Sequence, residues 1–174
     1  TWRVHWDSND HIQLARYMLL PYRAHSQLDL GEMDKKSFDI WQDHSINYLE
    51  MAFGYEKRER IANPDGYAKK TGDCGDTVEI FLAIRNGSIQ SVCFDTDGCI
   101  NTNACSNTVA RLAEGKKVEE AWEITPEDVI GYLKTLQPQN HHCAELAVGA
   151  FYLALTNYQE HRRTPWKRPY QKKH

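Results

Sequence analysis

The 174-residue chain has no apolar run that would cross a membrane: its most apolar stretch, Ala144–Leu155, falls well short of the ~20 residues a spanning helix needs. No membrane partner is therefore expected. An excess of basic charge is also missing. The 21 Lys and Arg stand against 24 Asp and Glu, a formal net charge of −3, which argues against nucleic acid as a ligand. No secretory or transit signal, internal repeat or low-complexity tract is visible. The five cysteines are odd in number and include no C-x-x-C pair, so neither a complete disulfide framework nor a structural zinc knuckle is indicated. They read as reduced thiols, and the expected location is the cytoplasm. What is present suffices for a core: 41% of residues are hydrophobic and 11% aromatic.

Three zones differ in character. Residues 1–40 are expected to form an N-terminal extension packing on the core, residues 41–158 the main domain, and residues 159–174 a basic, solvated tail. In the first zone Trp2, Val4 and Trp6 alternate like a short strand, and Ile12–Leu20 has the makings of a helix. Helical spacing then recurs from about Phe38 to Ile61 and is stopped by Asn63-Pro64-Asp65-Gly66.

Val78, Ile80, Leu82 and Ile84 alternate as a strand does, and Asn86-Gly87 supplies the positive-φ pair of a tight hairpin over about 78–95. A two-residue loop sets Arg85 opposite Ser88, Ile84 opposite Ile89 and Ile80 opposite Cys93. Cys93 then shares a face with Val78, Ile80, Leu82 and Ile84 as a buried filler, and Phe81, Val92 and Phe94 share the other. Helices are expected at about Ile100–Ala113, Val118–Trp122, from the Thr125-Pro126-Glu127-Asp128 cap to Leu136, and at about His142–Tyr158. Helices, hairpin, helices is an α+β order with a small antiparallel sheet.

Three cysteines fall where chemistry is placed. Cys74 lies in the glycine-flanked loop Gly72-Asp73-Cys74-Gly75-Asp76 before the hairpin, and Cys99 follows Asp95-Thr96-Asp97-Gly98 after it. The two ends of a hairpin meet, so these thiols are expected to be neighbours. Cys143 follows His141-His142 at the start of the last helix, where the dipole favours a thiolate. Asp76 stands two residues after Cys74, on the same side by strand alternation. Each cysteine alone reads equally as a small residue at a turn or helix start. Together, three thiolates with a carboxylate or imidazole in reserve suit iron–sulfur ligation or tetrahedral zinc. Cys105 reads as a helix residue packed inward, Asp95 and Asp97 as site-tuning charges or turn formers, and the remaining histidines (including His44 and His161) as surface or interface residues.

The segments Gly72–Asp76, Asp97-Gly98-Cys99 and His142-Cys143-Ala144-Glu145-Leu146-Ala147, with Asn63-Pro64 upstream, resemble the IscU/NifU-type iron–sulfur cluster assembly scaffolds over about residues 44–158. The resemblance implies an α+β fold and a non-enzymatic scaffold. In it Cys74, Cys99 and Cys143, with Asp76 or His142, hold a labile 2Fe–2S cluster. It further implies a cysteine desulfurase as sulfur source and apo iron–sulfur proteins as acceptors. The interval from Cys99 to Cys143 is similar to the IscU/NifU branch and lacks the insertion of the zinc-containing SufU branch. Four features depart from the pattern. The interval from Pro64 to Cys74 is short, so the family's first strand is expected to be missing, with Trp2–Trp6 or the N-terminal helices compensating. Asn140 stands where IscU proteins carry a lysine. Leu136-Gln137-Pro138-Gln139-Asn140 replaces their Leu-Pro-Pro-Val-Lys chaperone segment, which argues against handover through the ATP-driven chaperone. The first 40 residues and the basic tail have no counterpart in a minimal scaffold and suit a partner or a homo-oligomer interface.

The ligand set itself suits a cargo that must leave. Four thiolates would hold a cluster permanently, whereas the harder Asp76 carboxylate, or a protonatable imidazole at His142, loosens one corner. Cys143, at a helix start, is expected to have the lowest thiol pKa and to accept persulfide sulfur, with Cys74 its rival on access. Two other functions fit the same residues: a zinc-bound sulfurtransferase relaying persulfide, and a non-catalytic binding module with structural zinc. A Cys/His hydrolase is weakest, since His142 is not expected to turn its ring onto the adjacent Cys143 and no orienting residue or oxyanion loop is evident.

Overall fold

The computed structural model describes residues 40–165, so Trp2–Trp6, Ile12–Leu20 and the end of the tail lie outside the described residues. The expected long helix from Phe38 to Ile61 is instead two short ones, α1 (Ile40–Asp43) and α2 (Ile46–Phe53). The break has a local cause. Ser45 takes up extended backbone and its side chain accepts from the Tyr48 amide at 3.1 Å, starting a new helix. Gly54 closes it. The chain from 54 to 61 then runs along the outer edge of the sheet, where the Phe94 amide donates to the Lys57 carbonyl at 2.8 Å.

The sheet has three antiparallel strands in the order β1 (Gly66–Thr71), β2 (Thr77–Arg85) and β3 (Ser88–Thr96). The first strand that the short Pro64-to-Cys74 interval was expected to delete is therefore present. It pairs with β2 from Gly66 opposite Leu82 to Thr71 opposite Thr77. That removes the reason for expecting a compensating strand from the N-terminal zone, which itself lies outside the described residues.

Asn86 (φ 55°) and Gly87 (φ 76°) make the β2–β3 turn, and Arg85–Ser88 and Ile84–Ile89 pair as the two-residue loop requires. Beyond them the expected register fails. A bulge between Ala83 and Ile84 leaves Gln90 unpaired, so Ile80 faces Phe94 and Phe81 faces Cys93. One extra residue moves every later side chain to the opposite face. Val92 and Phe94 thus join Val78, Ile80 and Leu82 in the main core. Cys93 lies on the outer face beside Phe81, buried under the 54–61 segment, with its thiol donating to Glu59 Oε1 at 3.3 Å.

Four helices follow: α3 (Ile100–Ala113), α4 (Val118–Ala121), α5 (Pro126–Leu133) and α6 (His141–Arg163), the last preceded by a 3₁₀ turn at Pro138–Asn140. Thr125 and Asp128 cap α5 reciprocally as its sequence predicts, and the helix stops three residues short of Leu136 because Lys134 adopts φ 62°. Helix α6 outruns its expected end at Tyr158. His161, placed in the solvated tail from sequence, sits on it and reaches the Asp65 carbonyl at 3.3 Å. Helix α3 lies under the sheet and is buried almost all round, polar residues included. Its Asn103 and Asn107 side chains satisfy the terminal carbonyls of α2 at Met51, Ala52 and Gly54, which fastens the two helices together. The α+β architecture expected from sequence is the one observed.

Candidate metal centre

One end of the sheet meets the starts of two helices. The β1–β2 loop (residues 72–76) carries Cys74 and Asp76, the exit of β3 leads into Cys99 at the N-cap of α3, and Cys143 sits in the first turn of α6. Asp76, Cys99 and Cys143 each offer a ligand atom within 4.8 Å of the other two. Cys74 and His142 stand outside that set. Cys74 is exposed on its loop, which is folded tightly by the Gly72 amide on the Asp76 carbonyl (2.9 Å) and by Gly75 at φ 89°. It still lies near enough for its charge to act on Cys143.

Asp76 is held from the helix side. Its Oδ2 accepts from the Thr102 hydroxyl at 2.6 Å and from the Cys99 amide at 3.2 Å, so a residue of the β1–β2 loop caps α3. The Thr102 hydroxyl is the largest cause of a lowered Asp76 pKa; the Cys99 amide and the nearby His142 act in the same sense, against a smaller effect of burial. The approach is close enough to require glycine at position 98. A Cβ there would stand 2.7 Å from Asp76 Oδ2 and 2.8 Å from Thr102. Asp97, by contrast, is a turn former whose carboxylate accepts from the Thr77 amide at 2.6 Å, and Asp95 pairs with Arg60 at 2.9 Å.

The two close thiols are unlike. Cys143 is fully buried, and that burial, against a hydrogen bond from Thr102 and together with the charge of Cys99, pushes its pKa up to about 11. The expectation that its helix-start position would give it the lowest thiol pKa is therefore overturned: desolvation outweighs the dipole. Burial also acts to raise Cys99. Hydrogen bonds from Thr102 and Asn101, backbone and side chain, outweigh it and hold this exposed thiol below the ordinary value. Cys105 is enclosed in α3, as its sequence position suggests, and burial lifts it well above the usual thiol range.

His142 corrects a second expectation. Its Nε2 lies 3.5 Å from Cys143 Sγ, so the ring does reach the adjacent thiol. It can do so because Nδ1 lies 2.9 Å from the Gln139 carbonyl of the 3₁₀ turn, which swings the ring back over the helix start. A carbonyl only accepts, so Nδ1 carries a proton and Nε2 is the nitrogen turned toward the site, where its lone pair is free for a metal in the neutral form of the ring. That is the second-shell arrangement usual for a metal-binding imidazole. The ring is oriented by a backbone carbonyl and not by an acid, so the hydrolase reading gains no triad. His141 lies beside it, partly buried. Thr102 went unnoticed in the sequence, although its place three residues into α3 is where a capping partner falls.

The donor chemistry of the centre (two thiols and a carboxylate within 4.8 Å of one another, a third thiol and an imidazole at the rim) fits a thiophilic metal. No helix among the described residues is long and apolar enough to cross a membrane.

Comparison with known proteins agrees with this geometry. The profile of the NifU-like N-terminal domain matches residues 60–165. The iron–sulfur cluster assembly protein IscU of Plasmodium falciparum is 36% identical over 122 residues, covering 70% of this chain and 73% of that protein. The iron–sulfur cluster assembly scaffold protein IscU 1 of Archaeoglobus fulgidus is 35% identical over 85 residues, 49% of this chain; the alignment spans just over half of that relative, 56%. Among solved structures, a NifU-like protein (N-terminal) from Brucella abortus superposes with a TM-score of 0.57 at 20% identity, covering 70% of this chain and 99% of that one. A SUF-system scaffold protein from Fervidobacterium islandicum gives 0.55 at 19% identity, covering 66% and 97%. At these identities the structures speak for the fold.

Proposed function

The chain belongs to the NifU-like N-terminal domain family, and from that membership we propose that it is a scaffold on which a labile 2Fe–2S cluster is built and released. The observation that carries the reading is the meeting of Asp76, Cys99 and Cys143 within 4.8 Å, from three separate parts of the chain. Cys74 completes the thiol set from its exposed loop. Asp76 and His142 compete for the fourth place, the first tied to Thr102 and the second already presenting Nε2. The cluster is cargo, and a carboxylate or imidazole corner lets it go where four thiolates would keep it.

Sulfur is supplied by a cysteine desulfurase. A scaffold thiolate attacks the terminal sulfur of the desulfurase persulfide, and the desulfurase cysteine leaves as its thiolate. The exposed thiols of Cys74 and Cys99 are better placed to meet that persulfide than the enclosed Cys143. The finished cluster passes to apo iron–sulfur acceptors. Residues 1–40 and the basic tail serve a partner or a second copy of the chain, and the working compartment is a reducing one such as the cytoplasm.

Anaerobic incubation with iron, cysteine and a desulfurase, followed by apo-ferredoxin, tests the proposal. The expected result is visible absorption of a 2Fe–2S cluster with labile sulfide that moves to the ferredoxin. Failure of the wild-type chain to assemble any cluster overturns it. A second reading is favoured by the same donor set: three thiolates and Asp76 also satisfy tetrahedral zinc, as a sulfurtransferase relaying persulfide would need. Metal analysis of anaerobically purified protein separates the two, with iron and sulfide in one case and colourless zinc protein active in sulfur relay in the other.

A further inference from the structure

We propose that Tyr48 is a positioning residue for the Cys99 ligand, acting through Asn101; the inference rests on the scaffold reading above. One side chain brings polar hydrogens to the Cys99 sulfur, Asn101 through its Nδ2 at 3.8 Å; the Thr102 hydroxyl, 3.6 Å from that sulfur, donates its proton to Asp76 Oδ2. A carboxamide at a site's rim can turn end for end, presenting either its NH2 or its oxygen. Here one end is fixed. Tyr48, on α2 and 53 residues away in sequence, donates its hydroxyl to Asn101 Oδ1 at 2.6 Å. With the oxygen engaged, the NH2 faces the sulfur. The reversed amide would set an oxygen against a ligating thiolate, two acceptors without a proton between them.

The phenol is itself firmly held. Tyr48 is 2% exposed, and its ring stacks on His44 at 4.0 Å, which in turn reaches Thr135 at 3.2 Å. Phenylalanine would fill the same core position. A buried phenol hydroxyl needs a partner, and among the described residues the one it meets belongs to the mouth of the metal centre. Donors to a ligating sulfur withdraw electron density from it, raising the reduction potential of a bound cluster and strengthening its retention.

The test uses the full chain in four forms: wild type, Tyr48→Phe, Asn101→Ala and the double variant. Loaded with a 2Fe–2S cluster, each single variant is expected to show a lower reduction potential than wild type and about tenfold faster loss to a chelator. The double variant should go no further than either single one, since both cut the same link. Without any metal, the Asn101 side-chain amide protons should exchange with water more slowly in wild type than in Tyr48→Phe, as followed by nuclear magnetic resonance. An unchanged potential in Tyr48→Phe, additive effects in the double variant, or equal amide exchange in the two metal-free proteins would each overturn the link. If the wild type takes up no cluster, the scaffold reading fails, and the metal-free exchange measurement still decides the role of Tyr48. Asn101→Ala is a rim substitution that leaves α2 intact, so the comparison survives a Tyr48 variant that folds poorly.

Discussion

Burial separates two thiols of the same centre: Cys143 is enclosed and pushed up to about 11, whereas Cys99, at the open start of α3, is held below the ordinary thiol value. Only thiolates alkylate at useful rates, so the two should part company as pH rises. With limiting iodoacetamide on the metal-free protein, peptide mapping is expected to find Cys99 modified at lower pH, and Cys143 only near its raised pKa or after unfolding. Asp76 makes a second prediction at this scale. Replacing it with alanine removes the proposed oxygen ligand and the hydrogen bonds from Thr102 and the Cys99 amide. Stability should fall by about 1 kcal/mol, in the range of a lost helix cap. If Asp76 is the exchangeable corner, the cluster on Asp76→Ala should be retained longer against an acceptor, and transfer as fast as wild type would speak against that role. The sign with pH follows from its lowered pKa: the carboxylate's contribution is complete at neutral pH and is lost as pH falls through that lowered value.

At the level of elements, the entry into α3 is the tightest part of the centre. Gly98→Ala would drive a methyl group against Asp76 Oδ2 and Thr102, forcing apart the pair that caps the helix. A destabilisation of about 1–3 kcal/mol is expected in chemical denaturation, with cluster assembly impaired beyond what that loss explains.

The sequence was an uneven guide to these elements. Asn86-Gly87 announced the hairpin because only a few residues tolerate φ > 0 at both positions. The bulge at Ala83/Ile84 was masked by apolar side chains on both faces of β2 and β3, although the unbulged register would have set Ser91 and Asp95 on the core face beside Leu82 and Val78. Strand β1 was hidden for another reason. Gly66-Tyr67-Ala68-Lys69-Lys70-Thr71 has little apolar content of its own, and its inward positions are buried by α6. Around the centre, the cysteines and Asp76 were legible because loops and helix starts are definable locally. Thr102, Asn101 and Tyr48 were not, because their roles depend on which helices pack together.

For the molecule as a whole, the presence of β1 removes the reason to expect a borrowed strand from the first zone. A three-stranded sheet over α3 and α6 encloses Val78, Ile80, Leu82, Val92, Phe94, Val109 and Phe151, all fully buried, within residues 40–165. At about 1.5–3 kcal/mol for each large apolar side chain taken from water, that core is expected to hold without a borrowed strand. A chain beginning at Phe38 is therefore expected to fold cooperatively, by circular dichroism and thermal melting, and to assemble a cluster. Loss of folding on that truncation would show that residues 1–37 complete the core after all. Loss of sulfur delivery alone would assign them to the encounter with the desulfurase.

The seclusion of Cys143 also bears on the acid balance of loading. With Cys143 as one of the proposed ligands, its sulfur keeps its hydrogen at neutral pH until metal arrives, and uptake is expected to expel a proton to the medium. Calorimetric heats of metal uptake should then vary with the ionisation enthalpy of the buffer. Mild acid should favour discharge of the cargo by returning that proton to the vacated sulfur.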